Sequence, residues 1–190
     1  MINYKKNFKT VFLFIVVILL IYFLFFKIKP FGFKNNVRTS QNMIKLYSPD
    51  KKLINVVVFY GDPKTDRLKP FSTEIYEDGY VVNEVKQVLN KLFENPPQDY
   101  IRVIPEGTSV REVYIDANLT LYVDLSEEFM VNNKGGTTLE YLTVYSIIKS
   151  VFSNFLEIRG IKLLINGVEQ ETVSGHLNII DIFRPDDAGL

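Results

Sequence analysis

The chain has 190 residues and no cysteine, which excludes disulfides, cysteine–zinc sites and thiol nucleophiles. Its formal net charge of zero hides a split. Residues 1–52 hold ten Lys/Arg against Asp50 alone, whereas residues 53–190 hold twelve Lys/Arg against twenty-one Asp/Glu, and a domain that acidic repels phosphate backbones, so nucleic-acid binding is not expected.

Sixteen unbroken apolar residues, Val11–Phe26, lie between Lys9 and Lys27. With Phe8 and Ile28 they span ~31 Å as a helix, the thickness of a bilayer's hydrocarbon core. No small-residue cleavage pair follows the run, which favours an uncleaved anchor over a signal peptide. The expected division is a cytoplasmic N-terminus at 1–9, a transmembrane anchor at 10–28, a basic linker at 29–52 and one extracytoplasmic domain at 53–190. The linker lysines either lie on anionic lipid headgroups or form a solvated spacer.

Leu53–Tyr60 is β-branched and aromatic, the composition of a central strand. Leu68–Tyr76 predicts a second, more exposed strand after the turn-rich Gly61–Lys69. Val85, Val88, Leu89, Leu92 and Phe93 make one helical stripe, with Asn83 as N-cap and Asn95-Pro96-Pro97 as the exit. Ile101–Ile104 predicts a strand, and Ile104–Gly107 a type I turn. Val110–Ile115 and Leu119–Asp124 predict a hairpin. Ser126–Phe129 reads as one helical turn with acidic groups at its N-terminal end.

Thr137 and Glu140 have the spacing of a capping box. Behind them Leu139, Leu142, Tyr145, Ile148, Phe152 and Phe155 recur at helical intervals. Ile161–Ile165, Asn166-Gly167 and Val168–Thr172 predict a hairpin with a type I′ turn. Beyond Gly175 the tail reads as irregular, with Ile179, Ile180, Ile182 and Phe183 against the core. The order predicts an α+β domain, an antiparallel or mixed sheet with two helices packed on one face.

The chemistry-bearing residues form no enzyme signature. His176 is the sole histidine and lacks a partner at metal-ligand or general-base spacing. Acidic residues gather at Asp124/Glu127/Glu128 and at Asp181/Asp186/Asp187. Carboxylate pairs can hydrolyse glycosidic bonds, but helix starts and a solvated tail account for these as well. Tyr60, Tyr76, Tyr80 and Tyr122 remain as surface aromatics able to stack on a sugar. No catalytic, cofactor-binding or metal-ligating set emerges, so cofactors are expected to be none.

Several blocks in fixed order carry a family resemblance: Val57-Val58-Phe59-Tyr60, the Val82–Phe93 helix with its Asn-Pro-Pro exit, Ile104-Pro105-Glu106-Gly107-Thr108, Val123–Phe129, and Leu164–Glu169. Through them Ile54–Asp187 resembles the GerMN domain of GerM-like sporulation and germination proteins, found also in LpqB-type envelope lipoproteins. The resemblance implies an extracytoplasmic domain without established catalysis. In the sporulation proteins it implies a likeness to ring-building modules. GerM-like proteins commonly carry a lipid anchor and two domain copies, whereas one copy is seen here. The expected function is a membrane-anchored protein-interaction or assembly module of the bacterial cell envelope, touching membrane lipid and either envelope proteins or copies of itself. The alternative is a domain that binds or hydrolyses cell-wall glycan, with peptidoglycan as partner.

Overall fold

The computed structural model describes residues 52–189. The expected cytoplasmic stretch, the anchor at 10–28 and the linker up to residue 51 lie outside the described residues. Among the described residues, no helix is long and apolar enough to cross a membrane.

Two strands open the domain: β1 (Leu53–Gly61) and β2 (Leu68–Tyr76). They pair antiparallel, from Leu53 opposite Tyr76 to Gly61 opposite Leu68. Asp62 makes the reversal between them. Its carboxylate accepts the Lys64 N–H at 3.0 Å and the Thr65 hydroxyl at 2.9 Å, the side-chain mimicry that favours aspartate in turns.

Helix α1 (Val81–Phe93) buries Val85, Val88, Leu89, Leu92 and Phe93, as its periodicity predicts. The expected N-cap is displaced. Tyr80 occupies that position, and Asn83 sits inside the first turn, bonded to Asp78 at 2.6 Å. Glu84 secures the entry instead, accepting the N–H groups of Asp78 and Gly79.

Strands β3 (Val110–Ile115) and β4 (Thr120–Leu125) form the expected hairpin. Leu119 belongs to its loop rather than to the strand, at φ +64°. After the single turn α2 (Glu128–Val131), helix α3 (Thr137–Phe152) leads to β5 (Gly160–Ile165). β5 runs parallel to β4, from Thr120 opposite Gly160 to Leu125 opposite Ile165. Parallel neighbours need a long crossover, and α2 with α3 supplies it.

The fold is α+β, but its strands do not make one sheet. β1 and β2 form a two-stranded sheet, and β3-β4-β5 a separate three-stranded mixed sheet. The second edge of β1 is already occupied, which keeps the two apart. Asn154, just beyond α3, accepts the Val57 N–H at 2.9 Å and donates to the Val57 carbonyl at 2.7 Å. Ser150 accepts the Phe59 N–H at 3.0 Å. These two side chains stand where a neighbouring strand's backbone would stand.

Three further expectations are corrected. Ile101–Ile104 makes one bridge, Ile101 to Gly61, and no strand. Asn166 and Gly167 do turn the chain, at φ +52° and +76°, but only Val168 bridges back, to Ile165. The residues after it, Glu169-Gln170-Glu171, have no apolar face to bury, and the edge of β5 is instead taken by Phe183, which bridges Ile161. In the tail, Ile179 and Phe183 are buried as expected, whereas Ile180 and Ile182 are partly exposed.

α1 packs against β1, β2, β3 and α3, and α3 against β1 and the short 3-10 helix Pro185–Ala188. Covered on several sides, α3 is buried over more of its circumference than one stripe. Val144, Ile147, Ile148 and Val151 are fully enclosed, while Leu139, Leu142 and Tyr145 are half-buried. Leu121, Val123 and Leu163 face them from the mixed sheet, and Phe129 of α2 joins the same core. Each such side chain contributes about 1.5–3 kcal/mol relative to leaving it in water.

Candidate interaction site

A cleft of about 630 Å³ opens between the segment Arg102–Gly107 and the segment Asn132–Lys134, with Leu139 and Thr143 of α3 at its base. Hydrogen bonds set the walls, the first of them buried. The Thr143 hydroxyl donates to the Val103 carbonyl at 2.8 Å, and Asn132 donates to the Glu106 carbonyl at 2.8 Å. Arg102 is held by three bonds, to the carbonyls of Ile104 and Phe93 and to Asn95.

The Pro-Glu-Gly turn at the cleft's edge lies one residue later than expected. The Thr108 N–H closes on the Pro105 carbonyl at 3.3 Å, which puts Gly107, at φ +84°, third in the turn. Positive φ at that place is the requirement of a type II turn, not type I. A Cβ on Gly107 would also stand 3.3 Å from Glu128 Cγ. Gly107→Ala is therefore expected to cost about 1–2 kcal/mol through left-handed strain, visible as a fall of a few degrees in thermal unfolding with the fold retained.

The most enclosed titratable group lies elsewhere. Glu140 is fully buried on α3, and it makes no capping box; Gly136 is the N-cap. Its carboxylate is ringed by the loop Val173–His176. Oε1 accepts the N–H groups of Val173 and Ser174, both at 2.9 Å. Oε2 accepts the Ser174 hydroxyl at 3.0 Å and the His176 N–H at 2.9 Å. The His176 ring nitrogen Nδ1 is a further 3.0 Å from Oε2. Burial by itself pushes this carboxyl up, but the converging backbone N–H groups of Ser174, His176 and Leu177, with the Ser174 hydroxyl, outweigh it and hold it down at about 2. Glu140 is therefore an internal anion seated in a nest of donors.

A family model described as Germane, sporulation and spore germination, matches residues 57–171. The chain belongs to the Germane family. Solved structures with the same fold include the first GerMN domain of the Bacillus subtilis sporulation protein GerM, at 21% identity and a TM-score of 0.58, covering 70% of this chain and 99% of that one. The tandem GerMN domains of that protein match at 21% identity and 0.55, covering 72% of this chain and 48% of theirs. A putative lipoprotein from Clostridium perfringens matches at 22% and 0.51, covering 71% and 89%. No curated protein matches this sequence.

In this Germane domain the acidic residues picked out in the sequence hold the frame. Asp124 is nearly buried; it pairs with Arg111 at 3.2 Å and accepts the Gly167 N–H at 2.7 Å. Glu127 reaches Asn166 at 3.4 Å. Both are spent on the Asn166-Gly167 turn. Glu128 starts α2, Asp187 accepts the Arg184 N–H at 2.7 Å, and Asp181 bonds Asn178 at 3.2 Å. Among the described residues no three His, Asp or Glu side chains are grouped to hold a metal ion.

The tyrosines do not build one platform. Tyr60 is buried; its hydroxyl donates to the Lys91 carbonyl at 2.7 Å, and burial, helped by the nearby Glu94 charge, raises it to about 12. Tyr122 stacks on Tyr114 with ring centres 4.6 Å apart, on the outer side of the mixed sheet. Tyr80 is 70% exposed on the N-terminal side of α1.

Sequence reasoning passed over Glu140 because its spacing from Thr137 matched a capping box. A signal was present: Glu140, Val144, Ile147 and Val151 recur at i, i+4, i+7 and i+11, placing the carboxylate on an apolar stripe. Of the cleft residues only the Ile104–Gly107 turn was marked in the sequence; the cleft itself gave no signal, since three separated segments build it.

Proposed function

We propose that this Germane-family chain is a membrane-anchored, extracytoplasmic protein-interaction module of the bacterial cell envelope, working in sporulation or germination. Family membership supports the pathway. The apolar run Val11–Phe26 supports the anchor, since ~20 such residues suffice to span a bilayer. The observation that carries the interaction role is the cleft beside Pro105-Glu106-Gly107. It is a walled surface feature whose size falls within the usual 300–1,000 Å³ of binding sites, built by a segment the family model covers. The partner is an envelope protein or a second copy of the chain.

The alternative, a domain that binds or cleaves cell-wall glycan through Asp124 and Glu127, gains no support from the geometry. Both Asp124 oxygens are committed to Arg111 and Gly167.

In-cell crosslinking of a C-terminally tagged chain, followed by detergent purification and mass spectrometry, tests the proposal. A ladder of self-multiples or one recurring membrane partner is the expected result. A monomer carrying only wall fragments defeats it, and a tag resistant to protease in intact spheroplasts defeats the outward placement.

A further inference from the structure

We propose that the cleft takes an acidic segment of a partner protein, seating one Asp or Glu carboxylate between Lys134 and Asn133. The inference rests on the interaction role above and adds the chemistry of the partner.

Charge is the first argument. The domain from residue 53 onward carries an excess of nine acidic residues, yet the cleft lining holds Arg102 and Lys134 against Glu106 alone. The sign is locally inverted. Arg102 is fixed by its three hydrogen bonds, so it contributes a standing positive field and is not free to turn outward. Lys134 is exposed and makes no ion pair among the described residues. A cation in that state draws a partner anion without first giving up one of its own.

The second argument is an unmet hydrogen bond. Asn133 lines the cleft, and its Oδ1 accepts the Gly135 N–H at 3.0 Å. That bond fixes which end of the amide is which. The opposite end, Nδ2, is buried and has no acceptor among the described residues. A buried donor is costly to leave unpaired, and an acceptor oxygen arriving from the cleft would satisfy it.

The remaining surfaces restrict the ligand. Pro105 and Leu139 offer apolar contact at the edge and base, whereas Glu106 on the opposite wall repels a second carboxylate. The matching ligand has a single acidic side chain between apolar residues.

The probes are N-acetyl-Leu-Glu-Leu-amide and its glutamine counterpart N-acetyl-Leu-Gln-Leu-amide, titrated at low ionic strength into the full chain in detergent micelles and followed by backbone amide NMR. The glutamate peptide is expected to shift Gly107, Asn133 and Lys134. The glutamine peptide is expected to bind at least five-fold more weakly, as is the glutamate peptide to the Lys134→Glu variant. Lys134 is exposed, so unchanged amide positions elsewhere will certify that variant's fold. Equal binding of the two peptides, shifts confined to another surface, or binding of a muropeptide but not Leu-Glu-Leu would each overturn the inference. In-cell crosslinking separates the two levels. A complex that survives Lys134→Glu overturns the cleft assignment and leaves the interaction role standing; absence of any wild-type complex defeats that role whatever the peptides do.

Discussion

Replacing Glu140 with alanine is expected to cost about 3–5 kcal/mol, the range for breaking a buried charged network by removing one member. For a domain of this size that is a fall of roughly 10–15 °C in the unfolding midpoint, measured by circular dichroism on the full chain. The cost arises on the partners' side. The N–H groups of Val173, Ser174 and His176 and the Ser174 hydroxyl all point at this carboxylate, and alanine leaves them without an acceptor. Glu140→Gln keeps the shape and one carbonyl oxygen but turns an NH₂ group toward donors, so it should also destabilise, by less. A loss under about 1 kcal/mol for alanine would mean that the loop finds other acceptors, and the nest would then not be a structural keystone.

The same carboxylate fixes the acid limb of stability. Its folded-state value of about 2 lies below the ordinary 4.5, so the folded state holds the proton less tightly than the unfolded chain does. Stability from this group is complete above the unfolded value and drains away as pH falls from about 4.5 to about 2, a contribution on the order of 3 kcal/mol. Denaturation midpoints measured between pH 5 and pH 2 should fall steeply in the wild type and much less in Glu140→Gln. Parallel curves would assign the acid loss to other carboxylates.

Asn154→Ala is the second large effect. The side chain gives β1 one donor and one acceptor at Val57, and its loss uncovers both backbone groups at a strand edge. Two part-buried hydrogen bonds put the cost at about 2–3 kcal/mol. The exposed edge can then pair with another chain, so concentration-dependent association by light scattering should accompany the destabilisation. Asn154→Asp separates the two roles, because it can still accept the Val57 N–H but sets a carboxylate against the Val57 carbonyl. If both variants remain monomeric and stable, the edge is guarded by something other than this side chain.

Much of the fold was legible where one local pattern had no competitor. β1, β2 and α1 follow from alternation, composition and a clean stripe; the limits of the two strands agree with the sequence to within a residue, whereas α1 starts three residues before the start that Asn83 as N-cap predicts. α3 was legible as a helix but not as one enclosed on several sides, because its stripe of Leu139, Leu142 and Tyr145 competes with a second stripe of Val144, Ile147 and Val151. The Asn166-Gly167 turn was readable, since its residues themselves tolerate positive φ. What followed was not, because the site beside β5 goes to Phe183, eighteen residues further on, a competition that no local window contains. The cleft was beyond reach for a similar reason: Gly107, Asn133 and Thr143 become neighbours only through the crossover that brings β5 beside β4.

The nest around Glu140 separates two kinds of boundary. The stretch shared with the Germane family closes at residue 171, yet the carboxylate inside it finds its donors only from Val173 onward. What is inherited as a recognisable pattern is thus shorter than what must be present for the molecule to be self-sufficient. A chain ending at Glu171 would retain every matched residue and still strip Glu140 of the donors that hold its charge, which makes the last turns of the polypeptide part of the domain rather than an appendix to it.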